Sequence, residues 1–100
     1  MNVVGRHIDQ IKRLCDRYGV KTLFVFGSAT SDKFNRQSDI DLIVDIINED
    51  PIIYSENYFA LKFQLEQLFK RQIDLLEQRA IKNPYLKTQI DQTKVLVYGK

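Results

Sequence analysis

The sequence has few of the residues that mark disulfide-rich or low-complexity proteins. Among its 100 residues there are one cysteine, no tryptophan, two prolines and four glycines, and no segment repeats another. The single cysteine, Cys15, cannot form an internal disulfide, which is typical of a reducing intracellular compartment. The sequence therefore predicts a cytoplasmic protein without linkers or low-complexity tracts.

Long hydrophobic runs are also missing. At the N-terminus Val3 and Val4 are followed at once by Gly5, Arg6 and His7, so the apolar region of a secretory signal is absent. No apolar run approaches the roughly 18 residues that a membrane-spanning helix needs. No contact with a membrane is expected.

Charge of one sign is not in excess. Fifteen basic and 13 acidic residues leave a net charge of +2, which argues against a charged disordered tail and against direct nucleic-acid binding. The hydrophobic fraction is 44%, enough for one core in a chain of this length. We expect a single domain over residues 1–100.

The hydrophobic pattern predicts alternating helices and strands. Helices are expected over residues 3–18, 54–71 and 84–91, where apolar residues recur at helical spacing. Strands are expected over 21–26, 38–46, 72–77 and 95–98. Asn83 followed by Pro84 is typical of the start of a helix. Asp50 followed by Pro51 either ends the preceding segment or starts another helix.

Several residues allow two interpretations. Cys15 is interpreted as a core residue and His7 as a surface residue, since they are eight positions apart with no third metal ligand nearby. The aromatic region of Tyr54, Phe59 and Phe63 is either core or a surface that docks another subunit, with core packing preferred.

The most informative stretch joins a glycine turn to a pair of acids. Gly27-Ser28 ends a buried apolar strand, and Asp39-Ile40-Asp41 opens the next strand after ten further residues. Residues two apart on a strand point to the same side, about 6.6 Å apart. Asp39 and Asp41 therefore present two parallel carboxylates beside a turn whose glycine lets a bound group approach the backbone. This pattern suggests a site for metal and polyphosphate.

Asp74 is a third acid of interest, because apolar residues flank it in the predicted strand 72–77. It could cap the strand end or pair with Arg79. If its strand lies next to that of Asp39 and Asp41, three carboxylates converge, and their mutual repulsion is tolerable only around cations.

Taken together, these residues resemble the minimal nucleotidyltransferase family of the polymerase-β-like nucleotidyltransferase superfamily. The resemblance rests on Gly27-Ser28, Asp39-Ile40-Asp41 and Asp74, and it continues through Asn83-Pro84 to the C-terminal segment 95–99. It implies an α/β (α+β) nucleotidyltransferase fold: a small mixed β-sheet with helices packed mainly on one side.

The resemblance also implies roles for individual residues. Gly27 and Ser28 would hold the nucleotide phosphates of ATP. Asp39, Asp41 and Asp74 would bind Mg²⁺, two ions in all, as the catalytic residues, and Asp74 would also help to activate the acceptor hydroxyl. Hard cations such as Mg²⁺ prefer carboxylate oxygens, which agrees with this set.

The chain departs from the family pattern at one point. Members often have Arg-Gly four and five residues after the motif glycine, whereas this chain has Ser31 and Asp32. An arginine there would offer phosphate a fixed positive fork, so its loss should weaken nucleotide binding or change its geometry. Lys33 or Arg36 could substitute.

The resemblance implies an antitoxin that transfers AMP from ATP to a tyrosine hydroxyl of a partner HEPN toxin. Two alternatives remain open. The chain could be a catalytically weak subunit that neutralises a partner by contact, or a nucleotidyltransferase for a small molecule such as an aminoglycoside.

Overall fold

The computed structural model describes residues 2–27 and 39–99. Its helices are α1 (Asn2–Arg6), α2 (Ile8–Arg17), α3 (Pro51–Phe69) and α4 (Pro84–Thr93), and its strands are β1 (Val20–Phe26), β2 (Ile40–Ile46), β3 (Ile73–Glu77) and β4 (Val95–Tyr98). A short 3-10 turn, Gln78–Ala80, follows β3. None of the helices in these two ranges is long and apolar enough to cross a membrane.

The four strands form one mixed sheet in the order β3-β2-β1-β4. β1 runs antiparallel to both β2 and β4, while β2 and β3 are parallel. The alternation in β2 is as the sequence predicts: Ile40, Leu42 and Val44 are buried, whereas Asp41 and Asp45 are only half-buried on the opposite face. A period of two thus separates a core face from a second face that carries the acids.

Helices α1, α2 and α3 pack on the core face, so the expected fold is confirmed. The core cluster joins apolar residues of these helices to those of all four strands. Cys15 is fully buried in it, as predicted, and burial, followed by the neighbouring charge of Asp16, raises the pKa of its thiol to about 12.

Helix α4 lies over the opposite, second face of the sheet. Its Ile90 is buried, yet Ile90 and Ile43 do not belong to the core cluster, and both border a cavity whose floor includes Phe24. The Nζ atom of Lys94, just after α4, lies 4.6 Å from the centre of the Phe24 ring. The second face is therefore only partly covered, and the acids of β2 share it with α4.

Two helix boundaries differ from the sequence prediction. The first helix, expected to be continuous over 3–18, is broken at His7 between α1 and α2. His7 is half-buried rather than a plain surface residue, and its ring meets Phe69 edge-on at 5.4 Å. Helix α3 begins at Pro51 because the Asp50 side chain accepts a hydrogen bond from the Ile52 amide at 2.9 Å.

Phe59 and Phe63 differ more sharply from expectation. Their side chains are 65% and 58% exposed, so the preferred interpretation as core residues is wrong. Tyr54, grouped with them in the sequence, is instead buried beneath Arg79, whose guanidinium lies 4.3 Å from the ring centre. Helix α3 has apolar side chains on two faces, and only one of these two faces packs against the core.

Candidate active site

Two strands bring two of the predicted acids side by side. In the parallel pair of β2 and β3, Asp41 stands in register with Asp74. Partners in register on adjacent strands, about 4.8 Å apart, point to the same face of the sheet. Asp74 is exposed on an edge strand, and Asp41 is half-buried. The convergence expected for these two acids is thus present.

Asp39 completes the acidic cluster, which consists of Asp39, Asp41 and Asp74. It is exposed and lies one residue before β2 begins. Burial is the main reason that the pKa of Asp41 is raised above its usual value, and the negative charges of Asp74 and then Asp39 raise it further. The three carboxylates are therefore electrostatically coupled.

Gly27 lies directly against this cluster. It follows the last residue of β1, Phe26, which is in register with Asp41. Its φ of +70° is in the left-handed region, and a Cβ atom added to it would lie 2.6 Å from the Asp41 Oδ2 atom. Only glycine fits here without strain, for reasons of both backbone conformation and space. Ser28, its predicted companion, lies outside the described residues, as do Ser31 and Asp32.

The cluster offers only oxygen donors, which suit Mg²⁺. Within residues 2–27 and 39–99, however, no three histidine, cysteine, aspartate or glutamate side chains are grouped closely enough to hold a metal ion. The donor chemistry and the mutual repulsion at Asp41 fit a cation.

Arg79 does not pair with Asp74, the alternative that the sequence left open. Its guanidinium contacts Asp45 at 3.2 Å and donates a hydrogen bond of 2.7 Å to the Ile46 carbonyl. It thereby joins the turn after β3 to the end of β2, and it neutralises the other acid on the second face of β2. Asp74 can therefore act together with the other two carboxylates of the acidic cluster.

Tyr58 is a residue near the site whose role sequence reasoning missed. Its hydroxyl donates a 2.5 Å hydrogen bond to the carbonyl of Leu75, the residue after Asp74. This bond ties α3 to the edge strand that carries Asp74. In the sequence, Tyr58 is one of the apolar residues of a predicted helix, and no local pattern indicates its hydrogen-bond partner Leu75, which lies 17 residues further along the chain.

Comparisons with known proteins agree with this geometry. Residues 9–100 match the family described as "Polymerase beta, Nucleotidyltransferase". A Methanocaldococcus jannaschii protein named as a candidate protein adenylyltransferase is 34% identical over 86 residues, which are 86% of this chain and 85% of the relative. The protein adenylyltransferase MntA of Thermococcus cleftensis is 32% identical over 77% of this chain and 75% of its own.

Solved structures show the same fold. A structure described as a minimal nucleotidyltransferase has a TM-score of 0.77 at 24% identity, covering 94% of this chain and 92% of that one. A toxin–antitoxin structure with AMP-PNP has a TM-score of 0.72 at 22% identity, covering 93% and 73%. The complex of a tri-AMPylated Shewanella oneidensis HEPN toxin with an MNT antitoxin has a TM-score of 0.67 at 19% identity, covering 96% and 72%.

Proposed function

The chain belongs to the polymerase beta nucleotidyltransferase family, and from that membership we propose that it transfers AMP from ATP to a tyrosine hydroxyl of a partner HEPN toxin, as its antitoxin. One observation carries the proposal: Asp41 and Asp74 stand in register on one face, and Gly27 lies against Asp41. This is an acidic site at the end of a glycine turn, suited to a cation-bound triphosphate.

We propose that Asp39, Asp41 and Asp74 hold Mg²⁺. When bound, a pair of such ions neutralises charge on the attacking and leaving oxygens of a phosphoryl group. The raised pKa of Asp41 supports this assignment, because burial and two neighbouring negative charges disfavour its ionised form until a cation balances them. Without a bound cation, the negative charges of these carboxylates would repel one another.

The remaining steps use the chain's own residues. The positive φ and the missing side chain at Gly27 allow phosphate oxygens to approach the backbone. Ser28, the next residue, would supply a hydroxyl to the same phosphates. The acceptor oxygen attacks the α-phosphorus, the bond to the β-phosphate oxygen breaks and pyrophosphate leaves. Asp74 takes the acceptor's proton.

The position of Asp74 favours a large acceptor. It is exposed on β3, an edge strand of the sheet, so a side chain presented by another protein can reach it. Two of the structural relatives are toxin–antitoxin complexes, and the toxin in one of them carries AMP. The buried, free Cys15 supports a reducing, cytoplasmic setting for the reaction.

A second candidate function is neutralisation of the partner by contact alone. The exposed aromatic pair Phe59 and Phe63 favours it, because large apolar side chains that stand together on a surface often mark an interface. Both functions require binding, and only the first requires the acidic cluster.

The double variant Asp39→Asn/Asp41→Asn separates the two functions. It removes two negative charges at almost constant side-chain volume, so the fold and the docking surfaces should persist. A control variant, Asp9→Asn/Glu49→Gln, makes the same charge change at two exposed positions away from the cluster.

If the chain acts by AMP transfer, the double variant should still co-purify with the toxin but add no AMP, as read by intact mass, and cells should remain poisoned. The control should transfer AMP and protect. Protection by the double variant at native expression level would refute the enzymatic proposal and support neutralisation by contact.

A further inference from the structure

A cleft lies between the end of β1 and one flank of α4, and its volume is about 290 Å³. This α4 cleft is bordered by the end of β1, the glycine after it and residues of the helix: Phe26, Gly27, Leu86, Gln89, Ile90, Gln92 and Thr93. Ile90 is buried, whereas Leu86 is 38% exposed at the rim of the cleft.

The α4 cleft opens beside the acidic cluster. Phe26 is in register with Asp41, and the next residue, Gly27, is so close to Asp41 that no Cβ atom fits between them. A triphosphate bound at Gly27 and Asp41 would therefore have its nucleoside within reach of the cleft.

The lining of the cleft suits a nucleobase. Phe26, Leu86 and Ile90 provide apolar surface for the flat faces of a ring, and Gln89 and Thr93 provide polar groups for its edge. A few polar groups within an apolar wall are the usual composition of a small-molecule site.

The Thr93 hydroxyl donates its proton to the Gln89 carbonyl at 3.1 Å, so it presents lone pairs to a ligand. Lone pairs match an exocyclic amino group, as adenine carries, better than a carbonyl oxygen.

A larger cavity on the other flank of α4, about 360 Å³, is a weaker candidate. Four of its five charged residues are already paired: Arg79 with Asp45 at 3.2 Å and Lys94 with Asp91 at 3.0 Å. It lies around Phe24 and Ile43, further along the strands from Gly27.

We propose that the α4 cleft holds the base and ribose of the nucleotide substrate and that Gln89 and Thr93 select a base with an exocyclic amino group. This inference rests on the proposed nucleotidyltransferase function and adds the residues that discriminate between nucleotides. The acidic cluster and Gly27 bind the phosphates, and α4 binds the nucleoside.

Two probes separate these parts: Mg²⁺-ATP, and Mg²⁺-tripolyphosphate, which has no base or ribose. The test variants are Gln89→Ala and Thr93→Val. The matched control is Thr88→Val, because the Thr88 hydroxyl makes the same kind of bond, to the Pro84 carbonyl at 2.9 Å, but does not border the cleft.

Calorimetry should show that each cleft variant weakens ATP binding about three- to tenfold, the range expected for one lost hydrogen bond. Tripolyphosphate binding should not change, and Thr88→Val should bind both probes as the native chain does. The native chain should also prefer ATP to ITP, whose base has a carbonyl oxygen in place of the amino group of adenine, and the Thr93→Val variant should lose part of that preference.

Photolabelling with 8-azido-ATP provides a second readout. The label, mapped by mass spectrometry, should lie on Phe26 or on residues 86–93. A label elsewhere, or cleft variants with unchanged ATP binding, would overturn the assignment of the cleft and leave the proposed function intact. If the native chain binds neither ATP nor tripolyphosphate with Mg²⁺, the proposed function fails, and this inference fails with it.

Discussion

Replacing Gly27 with alanine should damage catalysis far more than it damages folding. The new Cβ atom would lie 2.6 Å from the Asp41 Oδ2 atom, whereas ordinary contacts begin at 3.4 Å, so the carboxylate must move by about 0.8 Å. A displacement of that size at a reacting centre can cost on the order of 10² in rate. We expect AMP transfer by Gly27→Ala to fall by about that factor.

The cost in stability comes mainly from the backbone. An alanine at positive φ costs about 1–2 kcal/mol, and the smaller entropy of its unfolded chain offsets about 0.4–1 kcal/mol of this. The net loss of about 1 kcal/mol corresponds to a fall in Tm of about 4–8 °C for a domain of this size.

Gly19 provides a matched control. Its φ is +67°, close to the +70° of Gly27, but the nearest atom to an added Cβ is 3.9 Å away. Gly19→Ala should therefore lose similar stability and keep its activity. Gly5→Ala, in helix α1 with no atom within 4 Å of the added Cβ, should keep its activity and gain about 0.5–1 kcal/mol of stability.

The assay is AMP transfer to the co-purified partner, measured with Mg²⁺-ATP well below the lowest Tm of the series. Native-like transfer by Gly27→Ala would refute the argument that this glycine protects the position of Asp41. An equal loss of activity in Gly19→Ala would show that backbone strain, and not the carboxylate, controls the rate.

Three further variants test other parts of the structure. Tyr58→Phe removes the hydrogen bond to the Leu75 carbonyl, so unfolding by urea should show a loss of about 1 kcal/mol, and native-like stability would contradict a role for this bond in holding α3 against β3. Leu61 is fully buried, so Leu61→Ala should lower the free energy of unfolding by about 2–5 kcal/mol. Phe63 is 58% exposed, so Phe63→Ala should lower it by less than about 1 kcal/mol. Equal losses would contradict the assignment of Leu61 to the buried face of α3 and Phe63 to the exposed face. In EDTA at pH 7, Asp41→Asn should have a higher Tm than the native chain, because folding raises the pKa of this carboxyl and therefore disfavours its ionised form. The difference in Tm should disappear as the pH falls through the raised pKa towards 3.8, where the native carboxyl becomes protonated in both states. A difference in Tm that does not change with pH would contradict the raised pKa.

Local patterns in the sequence predicted most of the elements. The alternation from Ile40 to Ile46 was sufficient to separate the two faces of β2, because side chains on a strand alternate whatever the strand pairs with. Asn83 before Pro84 marked the start of α4, where the Asn83 side chain accepts hydrogen bonds from two amides. Such signals depend only on neighbours in the chain.

The candidate site was predictable in part. The spacing of Gly27, Asp39 and Asp41 suggested it, the apolar neighbours of Asp74 in its strand indicated a third acid, and the resemblance to a known family implied a role for each residue. The register that places Asp74 beside Asp41 follows from the pairing of strands more than 30 residues apart, and no local pattern encodes that pairing.

Other features were decided only by the tertiary structure. Helix α3 has apolar residues around much of its surface, and packing alone determined that Leu61 is buried while Phe59 is exposed. Arg79 could have paired with Asp74 five residues away, yet it contacts Asp45, 34 residues away, since the ends of β2 and β3 meet in the folded sheet. Periodicity shows which side chains share a face, but which face is buried depends on surfaces contributed by distant segments of the chain.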